Sequence, residues 1–414
     1  MIACALRARR AQILPPAVPS DFMPSSSPRH SPGLVIFALA IGAFAIGTTE
    51  FATMSLLPYF AKDLGIDAPT AGHVISAYAL GVVVGAPLLT VMAARMARRT
   101  LLIWLMVMFT VFNGLCAFAP SYGWMLALRF LSGLPHGAYF GIGALVAVSL
   151  VPLSKRTQAV GRMFLGLTVA TIVGVPFANW LGHAVGWRWG FGLVAVAGAL
   201  TVALVALLAP RTPPEAGASP LRELGALTHA QVWLTLGVGA IGFGGMFCIY
   251  TYLADTLLEV TQASPTMVPV VLGIFGLGLT AGNIIVPWFA DRAQLPTAGG
   301  LLLWSAATAL LFMVSAGNIW AISISVFLVG IGGALGTVLQ TRLMDVARDA
   351  QGLAAALNHS AFNFANALGP LLGGAAIAAG YGWTSTGWVA SLLALGGFVL
   401  LLASVALDKA RRNR

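Results

Sequence analysis

The sequence predicts an all-α membrane protein with twelve transmembrane helices arranged as two parallel six-helix repeats. Of its 414 residues, 59% are hydrophobic and only 8% are charged, whereas a soluble protein needs about a quarter charged residues to cover its surface. Twelve apolar stretches are each long enough to cross a bilayer, and one constant spacing relates glycines in the first half to glycines in the second. Lipid is therefore the expected solvent for most of the chain.

A helix needs about 20 mostly apolar residues to cross the hydrocarbon core, and twelve stretches, which we call spans 1 to 12, meet this requirement. Spans 1 to 6 are predicted at residues 33–58, 72–93, 100–119, 123–150, 160–184 and 189–209. Spans 7 to 12 are predicted at residues 231–257, 266–290, 296–316, 319–341, 353–379 and 385–407. Glycine and proline recur inside them, which membrane helices tolerate because neighbouring groups satisfy the freed backbone atoms.

The two halves of the chain share one register. A spacing of 197 positions relates residues of spans 1, 2 and 4 to residues of spans 7, 8 and 10. The related pairs are Gly42 with Gly239, Gly47 with Gly244, Gly85 with Gly282, and residues 130–133 with residues 327–330. Because six spans return the chain to the side of the membrane from which it started, the repeats are predicted to be parallel.

The distribution of lysine and arginine predicts the orientation, because these residues favour cytoplasmic loops. If the N-terminus is cytoplasmic, 19 of the 22 lysines and arginines lie on the cytoplasmic side. Only Lys62 and Arg188 lie outside, and Arg129 lies inside span 4. Both termini are therefore predicted in the cytoplasm. The same bias accounts for the net charge of +10 without a nucleic-acid partner.

The polar stretches between and around the spans predict the domain boundaries. Residues 33–210 and 231–407 are predicted to form two six-helix bundles, joined by a cytoplasmic central loop at 211–230. Residues 1–32 form a predicted disordered cytoplasmic tail, and residues 408–414 a basic one. The sequence leaves open whether Met1 or Met23 is the start.

Two charges lie deep within the spans, and buried charges in lipid are costly enough to suggest function. Glu50 is about 12 Å from the outer end of span 1, and Arg129 is about 8 Å from the outer end of span 4, at 1.5 Å per residue. Burial disfavours a charged carboxylate and a nearby guanidinium favours it. We therefore predict that Glu50 loads and releases a proton and that Arg129 tunes it, with a permanent structural ion pair as the alternative.

Other polar and aromatic side chains are candidates for a substrate cavity. His136 lies two turns after Arg129, where it could relay a proton, bind substrate or pack as an ordinary interior histidine. The remaining candidates are Phe243, Phe247 and Tyr250 in span 7, and Asn358 and Asn363, which flank His359 in span 11. Ordinary helix packing is the alternative for all of these.

Four passages resemble the major facilitator superfamily, and the resemblance covers residues 33–407. They are residues 47–51 with Pro58, residues 129–137, residues 174–176 and residues 186–191. Within the superfamily the chain most resembles the twelve-helix drug:proton antiporters of the arabinose-efflux and chloramphenicol-resistance type. The resemblance implies the major facilitator fold, a proton-coupling role for Glu50, a proton-transfer role for Arg129, and an antiporter motif that includes Gly174 and Pro176.

The chain departs from the family pattern in two places. The loop between spans 2 and 3 usually carries an aspartate, but Gly85 is followed here by Ala94, and then by Arg95, Arg98 and Arg99. The second half keeps the pattern as Gly282 with Asp291 and Arg292, so a charge latch between the halves is expected to depend on this copy. Val175 separates the glycine and proline of the antiporter motif.

The resemblance implies a monomeric secondary active transporter in the bacterial inner membrane, which exports a small amphipathic molecule such as a drug or sugar against proton entry. Substrate is expected near the midplane, between spans 1, 4, 7 and 10. A passive facilitator and an uptake symporter for a small polar metabolite stay open. A non-transporting sensor or a membrane enzyme is the alternative of another class.

No sequence motif predicts an enzyme or a cofactor. The chain has no phosphate-binding GxxxxGK[ST] loop and no His, Glu or Cys cluster with metal-ligand spacing. Its three cysteines, Cys4, Cys116 and Cys248, are too widely separated to suggest a disulfide framework or a metal site.

Overall fold

The computed structural model describes residues 31–66, 68–214, 217–264, 266–347 and 349–412. Within these residues, twelve helices are long and apolar enough to cross a membrane, which confirms the predicted fold class. The predicted tail up to residue 30, the alternative start at Met23, Cys4 and Arg348 lie outside the described residues.

The observed spans agree with the predicted ones apart from their ends. Spans 1 to 6 are Pro32–Leu57, Thr70–Met92, Arg98–Cys116, Tyr122–Ser149, Leu153–Ala184 and Trp187–Leu208. Spans 7 to 12 are Ala230–Thr251, Met267–Ala290, Gln294–Ser315, Ile319–Val346, Gln351–Tyr381 and Ser385–Ala410. The helix of span 1 continues to Asp63, and span 5 begins earlier than predicted because a tight turn at Leu153–Lys155 leads into it. We call the side on which span 1 begins and span 12 ends the terminal side.

Three spans change their helical pitch near their middle. Span 5 widens into a π-helical turn at Ala170–Gly174, which ends two residues before Pro176, a residue that cannot donate a backbone hydrogen bond. Span 7 breaks at Phe243, and span 10 tightens at Gly332–Ala334. Each break contributes a residue to the cavity described below, so each irregular segment borders that cavity.

Spans 2 and 4 touch through their backbones. A Cβ atom added to Gly81 would overlap the carbonyl oxygen of Phe130, and one added to Gly133 would overlap that of Tyr78. Small residues permit such close approach in lipid, where no hydrophobic force draws helices together. Gly85 continues this contact against the backbone of Leu134.

Spans 8 and 10 repeat this contact in the second half. Gly278 lies against the carbonyl oxygen of Phe327, Gly330 against that of Phe275, and Gly282 against Ile331. Each of these glycines follows its first-half counterpart by 197 positions. The spacing read from the sequence therefore marks equivalent packing positions in the two repeats.

The two halves meet along spans 2 and 11, spans 4 and 11, and spans 5 and 8. Span 4 is the most buried of the twelve, and its Gly137 and Gly141 lie directly against the backbone of Ala356 in span 11. This close contact brings the buried polar residues of span 4 to the boundary between the halves.

Candidate functional site

A cavity of about 80 Å³ lies between the two halves and is lined by both. The first half contributes Glu50, Phe51, His136, Phe164, Leu167, Thr168 and Thr171. The second half contributes Phe243, Met246, Phe247, Leu279, Asn283, Gly333, Gly336, His359, Phe362 and Asn363. Apolar walls with a few polar groups are the usual composition of a small-molecule site.

Four of the six predicted cavity residues line this space, namely His136, Phe243, Phe247 and Asn363. The prediction was wrong for Tyr250, which packs edge-on to Phe51 with ring centroids 6.4 Å apart and lies behind the wall. Span 7 thus presents two of its three predicted aromatic residues to the cavity.

Asn358 is the second correction, because it does not line the cavity. Its side-chain nitrogen donates to Gln340 Oε1 at 2.6 Å and to the carbonyl oxygen of Gly336 at 3.3 Å. Its side chain is only 1% exposed, so these bonds fully occupy a buried amide donor. Asn358 therefore fastens span 11 to span 10, while the neighbouring His359 faces the cavity.

The walls include more spans than the sequence predicted. Spans 1, 4, 7 and 10 all contribute, as does span 11, whose Asn363 was a predicted cavity residue, but spans 5 and 8 contribute as well. Spans 5 and 8 are held together across the boundary, where Thr280 donates to Thr168 Oγ1 at 3.1 Å.

Glu50 lines the cavity and is half-buried, so it does not face lipid. Among the described residues its carboxylate has no hydrogen-bond partner, and no nitrogen of Arg129 lies within 4.0 Å of it. The direct ion pair that was the alternative is therefore not formed, and the tuning of Glu50 by Arg129 stays a prediction.

Arg129 is held by neutral partners. Its side chain is 1% exposed, it donates to Thr49 Oγ1 at 2.9 Å, and its guanidinium carbon lies 4.2 Å from the ring centroid of Tyr78. The Thr49 hydroxyl in turn donates to Asn113 Oδ1 at 2.6 Å. Because Thr49 directly precedes Glu50 in the chain, this hydrogen bond holds the guanidinium of Arg129 close to Glu50.

Two histidines from opposite halves face each other beside this cluster. His136 Nδ1 lies 3.0 Å from the Tyr78 hydroxyl, and the rings of His136 and His359 are 5.2 Å apart. His359 stacks on Phe140 at 4.2 Å, and its Nε2 has no hydrogen-bond partner within the described chain. An unsatisfied buried nitrogen beside a cavity is available to a bound molecule.

Sequence reasoning missed Thr49, Tyr78 and Asn113, and gave His359 no definite place. A signal was present, because each is a polar side chain in an otherwise apolar span, where an unsatisfied polar group is costly. The same reasoning that singled out the two charges would have found these neutral partners.

Asp291 links the halves on the terminal side, and its predicted role as a charge latch stays a prediction. Its carboxylate accepts hydrogen bonds from the backbone nitrogens of Thr157 at 2.6 Å and Gln158 at 3.1 Å. These nitrogens belong to the first turn of the helix Arg156–Val169 in span 5. A second link joins Arg156 to Asp345 at 2.6 Å.

The other predicted motif residues either pack between helices or lie at the terminal surface. Gly174 fits against Thr48 and Phe44 of span 1, and Pro176 follows the π-helical turn of span 5. Arg292 lies over the ring of Trp288 at 3.4 Å and donates to its carbonyl oxygen, so this contact stays within the second half.

The arginines after span 2 lie at the terminal surface. Arg95 is exposed, while Arg98 and Arg99 border a second cavity of about 400 Å³. Arg99 also donates to the carbonyl oxygen of Ala206 in span 6. This cavity is larger than the central one, but it lies at the terminal ends of the spans rather than near their middle.

The chain is similar to a known protein family and to several of its members. The profile of the Major Facilitator Superfamily matches residues 39–296 and again residues 234–414. The inner membrane transport protein YdhP of Escherichia coli (strain K12) is 42% identical over 377 residues, which cover 90% of this chain and 96% of that protein. The chloramphenicol resistance protein of Streptomyces lividans is 34% identical over 370 residues, 87% of this chain and 93% of that protein.

A solved structure shares the fold. The MFS proton:xylose symporter XylE bound to 6-bromo-6-deoxy-D-glucose superposes with a TM-score of 0.71, covering 89% of this chain and 95% of that one at 14% identity. At this identity the likeness concerns the arrangement of the helices alone.

Proposed function

This chain belongs to the major facilitator superfamily of membrane transporters, and from that premise we propose that it exports small amphipathic molecules in exchange for protons. Export is supported by the relative named for chloramphenicol resistance. Placement in a bacterial inner membrane is supported by the relative named as an inner membrane transport protein. The two halves would expose the central cavity to each side in turn.

The observation that carries this proposal is Glu50, an acidic side chain without a fixed partner in the cavity between the halves. Burial favours the neutral form of a carboxylate, and water or a nearby guanidinium favours the charged form. A carboxylate exposed alternately to the two sides can therefore bind a proton on one side and release it on the other. An intramembrane acid with no structural partner is a strong indication of such a role.

Arg129 would provide a positive charge that offsets the negative charge of Glu50 in the empty cavity. Thr49 and Tyr78 hold its guanidinium near Glu50 without neutralising it. Protonation of Glu50 removes the attraction between the two side chains and so changes the energy of the cavity. One proton entering across 100 mV releases about 2.3 kcal/mol, which corresponds to about a 50-fold gradient of an exported neutral molecule.

The size of the cavity indicates that the halves must separate before substrate enters. Its volume of about 80 Å³ is well below the roughly 300–1,000 Å³ of typical ligand sites. Phe243 and Phe247 would provide apolar contacts, while His359 and Asn363 would provide hydrogen bonds. An amphipathic molecule with a flat apolar part and a polar group fits this lining best.

We extend the proposal to the organisation of the chain. Two bundles, 33–210 and 231–407, would act as a single monomeric transport unit without enzymatic activity or cofactor. Both termini would lie in the cytoplasm, because 19 of the 22 lysines and arginines then fall on that side.

Transport in proteoliposomes tests the proposal. A growth screen of an expressing strain first identifies a substrate, whose accumulation is then driven by an imposed pH gradient. We expect Glu50→Gln to carry substrate down its gradient but not to concentrate it. The matched control is Glu259→Gln, which removes an exposed acid outside the cavity and should leave concentrative transport unchanged. Normal concentrative transport by Glu50→Gln would exclude the proposed coupling.

A further inference from the structure

Spans 5 and 11 begin on the terminal side without a capping side chain of their own. The residue before the span 5 helix is Lys155 and the one before the span 11 helix is Ala350, and neither side chain bonds to the helix. The first backbone N–H groups of a helix lack internal partners and carry partial positive charge. Each of these helix starts therefore needs an acceptor from elsewhere.

Span 5 receives its acceptor from the other half. Asp291, at the end of span 8, accepts hydrogen bonds from the backbone of Thr157 and Gln158. The position related to Asp291 by the 197-residue spacing is Ala94, which has no carboxylate. The symmetry of the fold therefore leaves the start of span 11 without the equivalent contact.

A carboxylate from the central loop occupies that place. Glu223 Oε2 accepts a hydrogen bond from the backbone nitrogen of Leu353, in the first turn of span 11, at 2.7 Å. Both of its oxygens lie 3.1 Å from where a Cβ on Gly352 would be, so the glycine provides the room. Glu223 and Ala94 line the same terminal cavity.

The segment that carries Glu223 bridges the halves. It forms a short helix, Pro220–Leu224, which Ser219 caps and which contacts both span 2 and span 11. Arg222 in the same helix lies 3.7 Å from Asp349, in the loop before span 11. The central loop is thus placed to connect the first half to the start of span 11.

We propose that Glu223 is a positioning residue of the transport cycle, which holds the terminal side closed by capping span 11 in place of the carboxylate that position 94 lacks. Asp291 and Glu223 then form a pair of equivalent latches, one on each repeat. Opening towards the terminal side breaks both contacts. This inference rests on the alternating access of the proposed function, but not on its substrate, its direction or its proton coupling.

A distance measurement between the halves tests the latch without any substrate. Ser154, in the first half, and Lys409, in the second, are both exposed on the terminal side and would carry the spin labels. They would be attached to full-length protein in lipid nanodiscs, after the three native cysteines are replaced by alanine. In Glu223→Ala we expect the ratio of long to short distances to rise by about 5- to 30-fold, the factor expected for a charge at a helix end.

Rescue separates a latch from a general loss of structure. Adding Ala94→Asp to Glu223→Ala should restore the wild-type distances, because it returns the carboxylate to the repeat-related position. Glu259→Gln is the matched control, since it removes an exposed carboxylate beyond the outer end of span 7 and takes no part in the contacts of the central loop; its distances should equal those of wild type.

Three results would overturn the inference. Wild-type distances in Glu223→Ala would show that the contact does not hold the halves together, and the loop would then move with the second half. Failure of Ala94→Asp to restore the distances would remove the equivalence with Asp291. An opening as large in Glu259→Gln would show that any loss of negative charge has the same effect. Loss of transport with the latch intact would instead concern the proposed function.

Discussion

The two halves share one helical scaffold but differ at the positions that face the cavity. The backbone contact between spans 2 and 4 recurs between spans 8 and 10 with glycines at equivalent places. The polar cavity residues do not recur: Glu50 is related to Phe247, Arg129 to Val326 and His136 to Gly333. Packing therefore constrains both repeats equally, whereas the proposed proton chemistry is confined to the first.

In the terminal loops it is the second half, and not the first, that carries the acidic residue. Here the second half keeps the carboxylate, as Asp291, and the first half has Ala94 instead. The first repeat therefore carries the buried charges but lacks the terminal carboxylate, and the second repeat carries the terminal carboxylate but lacks the buried charges.

The largest expected effect comes from removing the buried cation. Arg129→Gln leaves the region near Glu50 without a positive charge and removes the hydrogen bond to Thr49, and a hydrogen bond made by a charged group is worth about 1.5–3 kcal/mol. We expect a strong loss of thermal stability, measured by the fraction of monomer that survives heating, and loss of concentrative transport. The related position in the second half, Val326→Ala, should leave the coupling ratio unchanged.

A double variant sharpens this first test. If Glu50 and Arg129 interact through space, Glu50→Gln with Arg129→Gln should be more stable than Arg129→Gln alone, because no uncompensated acid remains. Strictly additive changes in stability would show that the arginine acts only through Thr49 and Tyr78.

The next effect tests the shared scaffold. Gly81→Ala in the first half and Gly278→Ala in the second each force a methyl group against a backbone carbonyl, and overpacking of this kind costs about 1–3 kcal/mol. We expect similar losses of thermal stability in both. Gly72→Ala and Gly273→Ala, which meet no atom within 4 Å, serve as controls. A loss in only one half would break the equivalence of the two contacts.

A smaller effect is expected where the halves meet at the cavity. His359→Phe keeps the stacking on Phe140 but removes the nitrogen that has no protein partner. Loss of one hydrogen bond to substrate, worth about 1 kcal/mol, should raise KM about 5-fold with little change in maximal rate. His183→Gln, an exposed histidine, is the control. An unaltered KM would mean that His359 only packs.

The smallest effect concerns the outer surface. Hydrogen bonds from Arg188 and from Trp187 Nε1 lower the pKa of Asp63 below its usual range. Because the folded pKa lies below the unfolded one, the contact stabilises the protein above about pH 4 and is lost as the pH falls through the folded value. Asp63 is 47% exposed, so Asp63→Asn should lower thermal stability only slightly at pH 7 and by a smaller amount at pH 3. An equal difference at both pH values would contradict this.

The sequence could predict the spans, their repeat and the two buried charges, because each depends on composition or on a fixed spacing. It could not predict the rotation of each span about its own axis. A helix that is apolar all round has no unique inward face, so Tyr250 and Asn358 could not be distinguished from Phe247 and His359. The walls formed by spans 5 and 8 were missed for the same reason.

Glu223 shows a second limit of sequence reasoning. Its role depends on a contact with Leu353, which is 130 positions away in a different part of the fold. Composition marks the central loop only as polar, and the repeat spacing points to Ala94 rather than to the residue that takes its place. A substitution that moves a function to a new element leaves no periodic signal.

The small volume of the central cavity has a pharmacological consequence. A compound of ordinary medicinal size cannot enter the closed form, so an inhibitor must bind an open form and wedge the halves apart. Its potency would then depend on how often the protein opens, and variants that weaken the terminal contacts should become more sensitive to blockers arriving from the terminal side.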